Sequence, residues 1–424
     1  MRRVYVASGF ALAGNQAYTL LLFVILPASQ AGLVNWATAA CALVFYVLDA
    51  GIESAIVIAA KRRLVDLRTM VVTVSVFRVG ATALALSVWA VGIALGRLGP
   101  SESLALLLVG FSNVLRLFQT PFSAALQVRD RQADAAIINV IPAVVRVLGV
   151  GAIAVLGAVS VASALLVAVV GDAMGLAVMA LAASRSASGP SVSGDWRRLS
   201  RELLGSAPMI AASQAVIMAQ SRVDWLLVAA LASYAALANY ALANKAVELL
   251  VLGGAIFGRA ALPWFVEGWT SRDIGPSVRW LIGATLAGGV FLAVIGWPLL
   301  HLVTGNKYSG AAPMIPILAA LGPALVLFQV VQFAVIGQGA ARDVVAAGAA
   351  ALFAQIAIDL YAIPRYGAIG AVYGMCAFAA ISLPLLLLLA ERRRILGPRP
   401  ALELFTGGAI LPVLVAVVAA IRIL

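Results

Sequence analysis

In LPASQAGLVNWATAACALVFYVLDAGIESAIVIAAKR, residues 26–62, a turn, a long apolar run and a basic terminus follow one another. Pro27 to Gly32 carries the turn chemistry. From Leu33 to Ala60 the run is long enough for a helix that crosses a bilayer, which needs about 20 apolar residues. Lys61, Arg62 and Arg63 then close it, as basic residues do at the cytoplasmic end of a span. Two acids stand inside the run. Asp49 and Glu53 are four residues apart and share one helix face.

The same pattern continues in both directions. Candidate spans are 4–26, 33–60, 69–96, 103–127, 135–157, 160–183, 206–231, 234–262, 277–303, 311–337, 343–363 and 367–390, with a further apolar run at 402–421. The whole chain is 63% hydrophobic and 11% charged, with a mean hydropathy of +1.07. A soluble domain carries about 25% charged residues, so this composition excludes one. The net charge of +12 sits at the ends of the apolar runs, which assigns it to membrane topology rather than to nucleic acid. Cys41 and Cys376 lie inside apolar runs and His301 is the single histidine. Neither a disulfide framework, a metal site nor a cofactor is expected. The first run follows Arg2 and Arg3 but is too long for a signal-peptide core, and is read as a retained first helix.

Charge bias sets the orientation. With the N-terminus in the cytoplasm, Arg2, Arg3, Lys61, Arg62, Arg63, Arg129, Arg131, Arg197, Arg198 and Arg392 to Arg394 all fall inside, while outer ends hold only Arg97, Lys307, Arg365 and Arg422. The longest connection, about 184–204, begins as a Ser/Gly/Pro linker and continues as a short amphipathic helix from Trp196. It divides two halves that echo each other. Ala31-Gly-Leu-Val-Asn-Trp-Ala37 reads against Ala235-Ala-Leu-Ala-Asn-Tyr-Ala241, and Gly157-Ala-Val against Gly367-Ala-Ile. The expected organisation is an N-terminal six-helix bundle (1–183), a cytoplasmic linker (184–204), a C-terminal six-helix bundle (205–391) and a basic segment with an additional hydrophobic helix (392–424). Six helices per half leave the halves in the same orientation, related by an axis along the membrane normal.

A charge at the bilayer centre costs about 2.5–3.5 kcal/mol on insertion scales, so such residues face a cavity or a partner. Arg78, Arg116, Arg146, Arg222 and Lys245 are the basic set; Asp49, Glu53, Asp172, Asp224 and Glu248 are the acidic set, for charge pairing or ion coupling. Asp49 and Glu53 are placed to pair with Arg78. Lys245 and Glu248, three apart, suit an ion pair within one helix. Arg222 and Asp224 point to different faces. Arg116 and Arg146 have no acid close in sequence and are expected to face a water-filled cavity. Arg259 and Asp359 are expected to reach the helix ends. Arginine suits phosphate because its fork donates two parallel hydrogen bonds and keeps its charge. Asn15, Gln16, Asn113, Gln119, Gln214, Gln220, Asn239 and Asn244 either line the same space or join helices. Pro121, Pro142, Pro298, Pro323 and Pro384 are expected to bend their spans.

Residues 26–62, with Asp49-Ala-Gly51-Ile52 near the end of the run, resemble the start of the polysaccharide and O-antigen flippases of the multidrug/oligosaccharidyl-lipid/polysaccharide (MOP) exporter superfamily. RVDWLLVAALASYAALANYALANKAVELL (222–250), GNKYSGAAPMIPILA (305–319) and IPRYGAIGAVYG (363–374) resemble later parts of the same pattern. The resemblance implies an all-α, MATE-like integral membrane fold of two six-helix bundles in a V around a central cavity. It implies export of a lipid-linked oligosaccharide, a polyprenyl-diphosphate glycan, across the bacterial cytoplasmic membrane for lipopolysaccharide or other surface polysaccharide. Membrane lipids and polysaccharide-assembly proteins are the implied partners. Arg78, Arg116, Arg146, Arg222 and Lys245 become the residues that grip the diphosphate, with the tail in lipid beside helices 1 and 8.

Two other functions compete. A cation-coupled drug or metabolite antiporter of the same fold would use membrane carboxylates, for which Asp49, Asp172 and Asp224 are present; the arginines oppose a cationic substrate. A membrane enzyme needs an acid, base or nucleophile set at the surface, and the outer loops are short and nearly free of candidates. The chain is therefore read as a transporter and not an enzyme.

Overall fold

The computed structural model describes residues 2–49, 98–128, 131–185, 218–266 and 271–393, with single positions between 75 and 90 and at 212, 215 and 216. Every element among them is helical. The chain divides into two compact units, Met1–Ala215 and Val216–Leu424. The amphipathic segment after Trp196 and the run 402–421 lie outside the described residues.

The first unit contains α1 (Arg2–Ile25), α2 (Ala28–Asp49), α3 (Pro100–Val128), α4 (Gln132–Ile138), α5 (Val140–Val155) and α6 (Val161–Arg185). Its main packing pairs are α3 with α6, α1 with α5, and α5 with α6. The second unit contains α7 (residues 218–231), α8 (Tyr234–Val266), α9 (Ser271–Phe291), α10 (Trp297–Thr304), α11 (Met314–Gly337), α12 (Ala341–Tyr366) and α13 (Ala368–Arg392). There α12 pairs with α13, and α8 with α11. Among the described residues eight helical stretches are long and apolar enough to cross a membrane, and nine if the stretch bent by 45° between Lys245 and Val247 is one span. The protein is a multi-pass membrane protein. Large apolar side chains such as Phe10, Leu148, Val290 and Phe353 are exposed, the face that lipid wets in place of water.

Prolines break two of the five expected spans. The run 135–157 is split at Asn139 into α4 and α5. Pro142 lies four residues after Ile138, where its ring would meet a helical carbonyl. A π-helical turn, Leu292–Gly296, precedes Trp297-Pro298 and joins α9 to α10. Pro121, Pro323 and Pro384 lie inside helices that continue past them.

Both sequence echoes have matching local geometry. Asn35 Nδ2 donates to the Ala31 carbonyl at 2.8 Å, and Asn239 Nδ2 to the Ala235 carbonyl at 2.9 Å. Gly157 and Gly367 sit at the turns with φ of 68° and 63°, a region that favours glycine.

Candidate functional site

In the first unit Arg116 and Arg146 converge on one carboxylate. Asp172 lies on α6 between Gly171 and Gly175. A β-carbon at 171 would stand 3.0 Å from the Pro142 carbonyl oxygen, and one at 175 would stand 2.6 Å from Pro142 Cγ. The two glycines thus let α6 lie against α5, in the small-xxx-small manner of membrane helices. That approach brings Asp172 to Arg146, and Arg146 donates through Nη2 to Asp172 Oδ1. Ser112 donates its hydroxyl to Oδ2 of the same carboxylate. Arg116 donates from Nε to both oxygens at 3.2 Å, and Gln119 Nε2 donates to the Asp172 backbone carbonyl at 3.0 Å. Arg146 also donates through Nη1 to Asn15 Oδ1 at 2.6 Å and lies 5.9 Å from the Tyr18 ring centre.

These contacts correct one expectation. Arg116 and Arg146 do have an acidic partner, 56 and 26 residues away in sequence. Arg146 is sealed off from solvent (its side chain is 3% exposed), whereas Arg116 is 49% exposed. A cluster of two guanidiniums and one carboxylate keeps one positive charge in excess, and Arg116 carries it to the surface of the unit.

The second unit repeats the charge arithmetic with different residues. Glu248 accepts from Lys245 Nζ at 2.5 Å and from Arg222 Nη1 at 3.3 Å, so the pair within α8 is joined by a cation from α7. The Arg222 guanidinium lies 4.5 Å from the centre of the buried Trp225 ring, a cation–π contact. Asp224 points elsewhere, accepting from the Tyr240 hydroxyl and the Trp225 backbone N–H.

Sequence reasoning missed Asp359. Expected to reach a helix end, it is fully buried within α12. Neither carboxylate oxygen has a hydrogen-bond partner among the described residues, and a β-carbon at Gly374 of α13 would collide with it. Asp224 is close enough to interact electrostatically. Two buried acids near one another, one without a donor, need a proton or a cation.

Arg78 is fully buried. Glu53, and the side chain of Asp49, lie outside the described residues, so their expected pairing with Arg78 does too. Of the polar set, Asn113 and Asn239 donate to carbonyls of their own helices. Gln119 joins α3 to α6, and Gln355 joins α12 to the Gln220 carbonyl of α7. His301 is exposed and contacts the Gly305 carbonyl through Nδ1 at 3.0 Å, closing the end of α10.

The helical units and their interior charges define a polytopic membrane fold. Among solved structures, the chain is similar over its full length to the lipid II flippase MurJ in an inward closed conformation (TM-score 0.72, 12% identity, 100% of this chain and 97% of that one). It is similar to an inward-facing multidrug resistance MATE family transporter of the MOP superfamily (TM-score 0.68, 14% identity, 91% and 94%). A third similar structure is a MOP superfamily transporter from Pyrococcus furiosus, described as having a binding pocket of reverse polarity (TM-score 0.64, 14% identity, 93% and 94%). The chain has the fold these transporters share. No family model matches the sequence, and no curated protein matches it.

Proposed function

We propose that the protein is a flippase that moves a lipid-linked oligosaccharide, a polyprenyl-diphosphate glycan, across the bacterial cytoplasmic membrane by alternating access for surface polysaccharide assembly. In this reading residues 1–183 and 205–391 are the two bundles, 184–204 the cytoplasmic linker, and the N-terminus is inside. The observation that carries it is Arg116: a half-exposed guanidinium within an apolar membrane helix, in a cluster with one positive charge in excess. Such a group asks for an anion, and phosphate fits the fork. Arg146 backs it, Arg222 and Lys245 offer a second cationic pair around Glu248, and Arg78 is kept as a candidate. The fold shared with a lipid II flippase supports a lipid-linked substrate. The test is a deletion strain scored for lipid-linked oligosaccharide in the outer leaflet. The gene restores it, and Arg116→Ala lowers the rate at least about tenfold, the effect of losing about 1.4 kcal/mol. Full restoration by Arg116→Ala sinks the proposal.

A cation-coupled antiporter of the same fold is the second reading, favoured by Asp224 and Asp359. It is also compatible with a flippase whose export is coupled to a cation or proton at those acids. If deletion changes only drug sensitivity, the antiporter reading replaces the first.

A further inference from the structure

Arg116 offers its two edges to different partners. The Nε edge meets both oxygens of Asp172 at 3.2 Å. The Nη1/Nη2 edge has no hydrogen-bond partner among the described residues, and the side chain is half exposed. A long side chain held at one edge loses its rotamer freedom before any ligand arrives, and its other N–H groups are then aimed in advance.

Asp172 is well suited to hold it. The carboxylate is itself fixed from three directions: by Arg146 on α5, by the Ser112 hydroxyl on α3, and through its backbone by Gln119 on α3. It is buried, with its side chain 2% exposed. Arg146 is anchored in turn by Asn15 of α1. Four helices therefore fix the position of one guanidinium.

We infer that Asp172 is a positioning residue that orients Arg116, so that the outward Nη1/Nη2 edge forms a socket for a single phosphoryl group. This rests on the anion-carrying reading above and adds which atoms receive the phosphate. The socket takes one phosphoryl at a time, because one outward edge donates two parallel hydrogen bonds and the cluster has one positive charge to neutralise.

The sign of one mutation separates positioning from simple charge. On charge alone, Asp172→Asn removes a negative neighbour and strengthens anion binding. On positioning, the amide no longer offers two acceptor oxygens to the shared Arg116 Nε–H, the fork swings free, and binding weakens. The experiment is calorimetric titration of the purified full chain with inorganic pyrophosphate. Asp172→Asn is expected to weaken binding about tenfold, a loss of about 1.4 kcal/mol. In the Arg116→Lys background, where no fork exists to aim, the same change is expected to leave binding unchanged or tighten it. Where Asp172→Asn alone does not fold, adding Asn15→Asp keeps Arg146 paired and provides the same comparison. Equal weakening in both backgrounds means Asp172 is only a structural counter-ion, and tightening in the wild-type background means it only competes for charge; either overturns the inference. Absence of any saturable binding by the wild type defeats the anion reading itself.

Discussion

Arg116 and Arg146 share a carboxylate and differ in what surrounds them, and this decides what each mutation does. Arg146 is enclosed, so its removal leaves Asp172 buried with one guanidinium fewer. Breaking a buried pair costs about 3–5 kcal/mol. Arg116 is 49% exposed, and a solvent-screened pair contributes about 0–1 kcal/mol. Arg146→Ala is therefore expected to lower the melting temperature in detergent clearly, and Arg116→Ala to lower it little while abolishing pyrophosphate binding. Equal melting shifts would contradict the burial difference. Asp359 gives a prediction of opposite sign. It is buried with no donor at either oxygen among the described residues, so in the absence of a bound cation the neutral Asp359→Asn relieves a desolvation cost. That variant is expected to melt higher than wild type in sodium-free buffer and to lose any sodium-dependent or acid-dependent stabilisation. A lower melting temperature without sodium would show that the carboxylate is satisfied as it stands.

At the scale of the helix, glycine spacing makes the charge cluster possible. Gly171 and Gly175 flank Asp172 and bring α6 against Pro142 of α5. A β-carbon at 175 would press on Pro142 Cγ and Gln119 Nε2, both at 2.6 Å. Gly175→Ala is thus expected to cost about 1–3 kcal/mol as overpacking. Among the described residues nothing lies within 4 Å of such an atom at Gly151 of α5, and Gly151→Ala is expected to be neutral or to stabilise by up to about 1 kcal/mol through helix propensity. Thermal melts of the two variants settle the comparison; a larger loss at 151 than at 175 would overturn it. Length and composition made the helices legible in sequence, and turn chemistry made Gly157 and Gly367 legible. Pro142 marked a break that lies just before it. The pairing of Arg116 and Arg146 with Asp172 was not legible. Ser112, Arg116 and Gln119 recur at helical spacing and share one face of α3, but the sequence does not say which neighbour that face meets, and the partners come from three helices. Asp359 was misjudged because α12 runs on to Tyr366, which leaves the acid well inside the helix.

At the scale of the whole molecule, the proposed flippase function requires a drive that moves a charged headgroup outward. Each elementary charge crossing 100 mV gains or loses about 2.3 kcal/mol. A headgroup of about two negative charges leaving a negative-inside cell therefore gains about 4–5 kcal/mol, roughly three decades in the distribution between leaflets. That is enough to drive export without a coupled ion. Asp224 and Asp359 offer the alternative, in which a buried acid pair would couple export to a cation or proton. The two drives separate in proteoliposomes carrying the lipid-linked substrate, with the potential clamped by a potassium gradient and valinomycin. If the potential drives export, setting it to zero is expected to abolish net movement even with a sodium or proton gradient present, and Asp359→Asn leaves the response to voltage intact. If the acid pair couples export to an ion, a gradient at zero potential sustains movement in the wild type and fails in Asp359→Asn. The excess positive charge around Arg116 matters in both cases. A diphosphate neutralised on the protein crosses with less net charge than a bare one, so the steepness of the voltage response of the loaded crossing step, measured in a single turnover, shows how much of that cationic cluster moves with the substrate. A response of nearly two charges implies that the arginines stay behind while the phosphates cross. A response near one implies that Arg116 moves with its phosphate, and that prediction follows from a socket built on a single outward guanidinium edge.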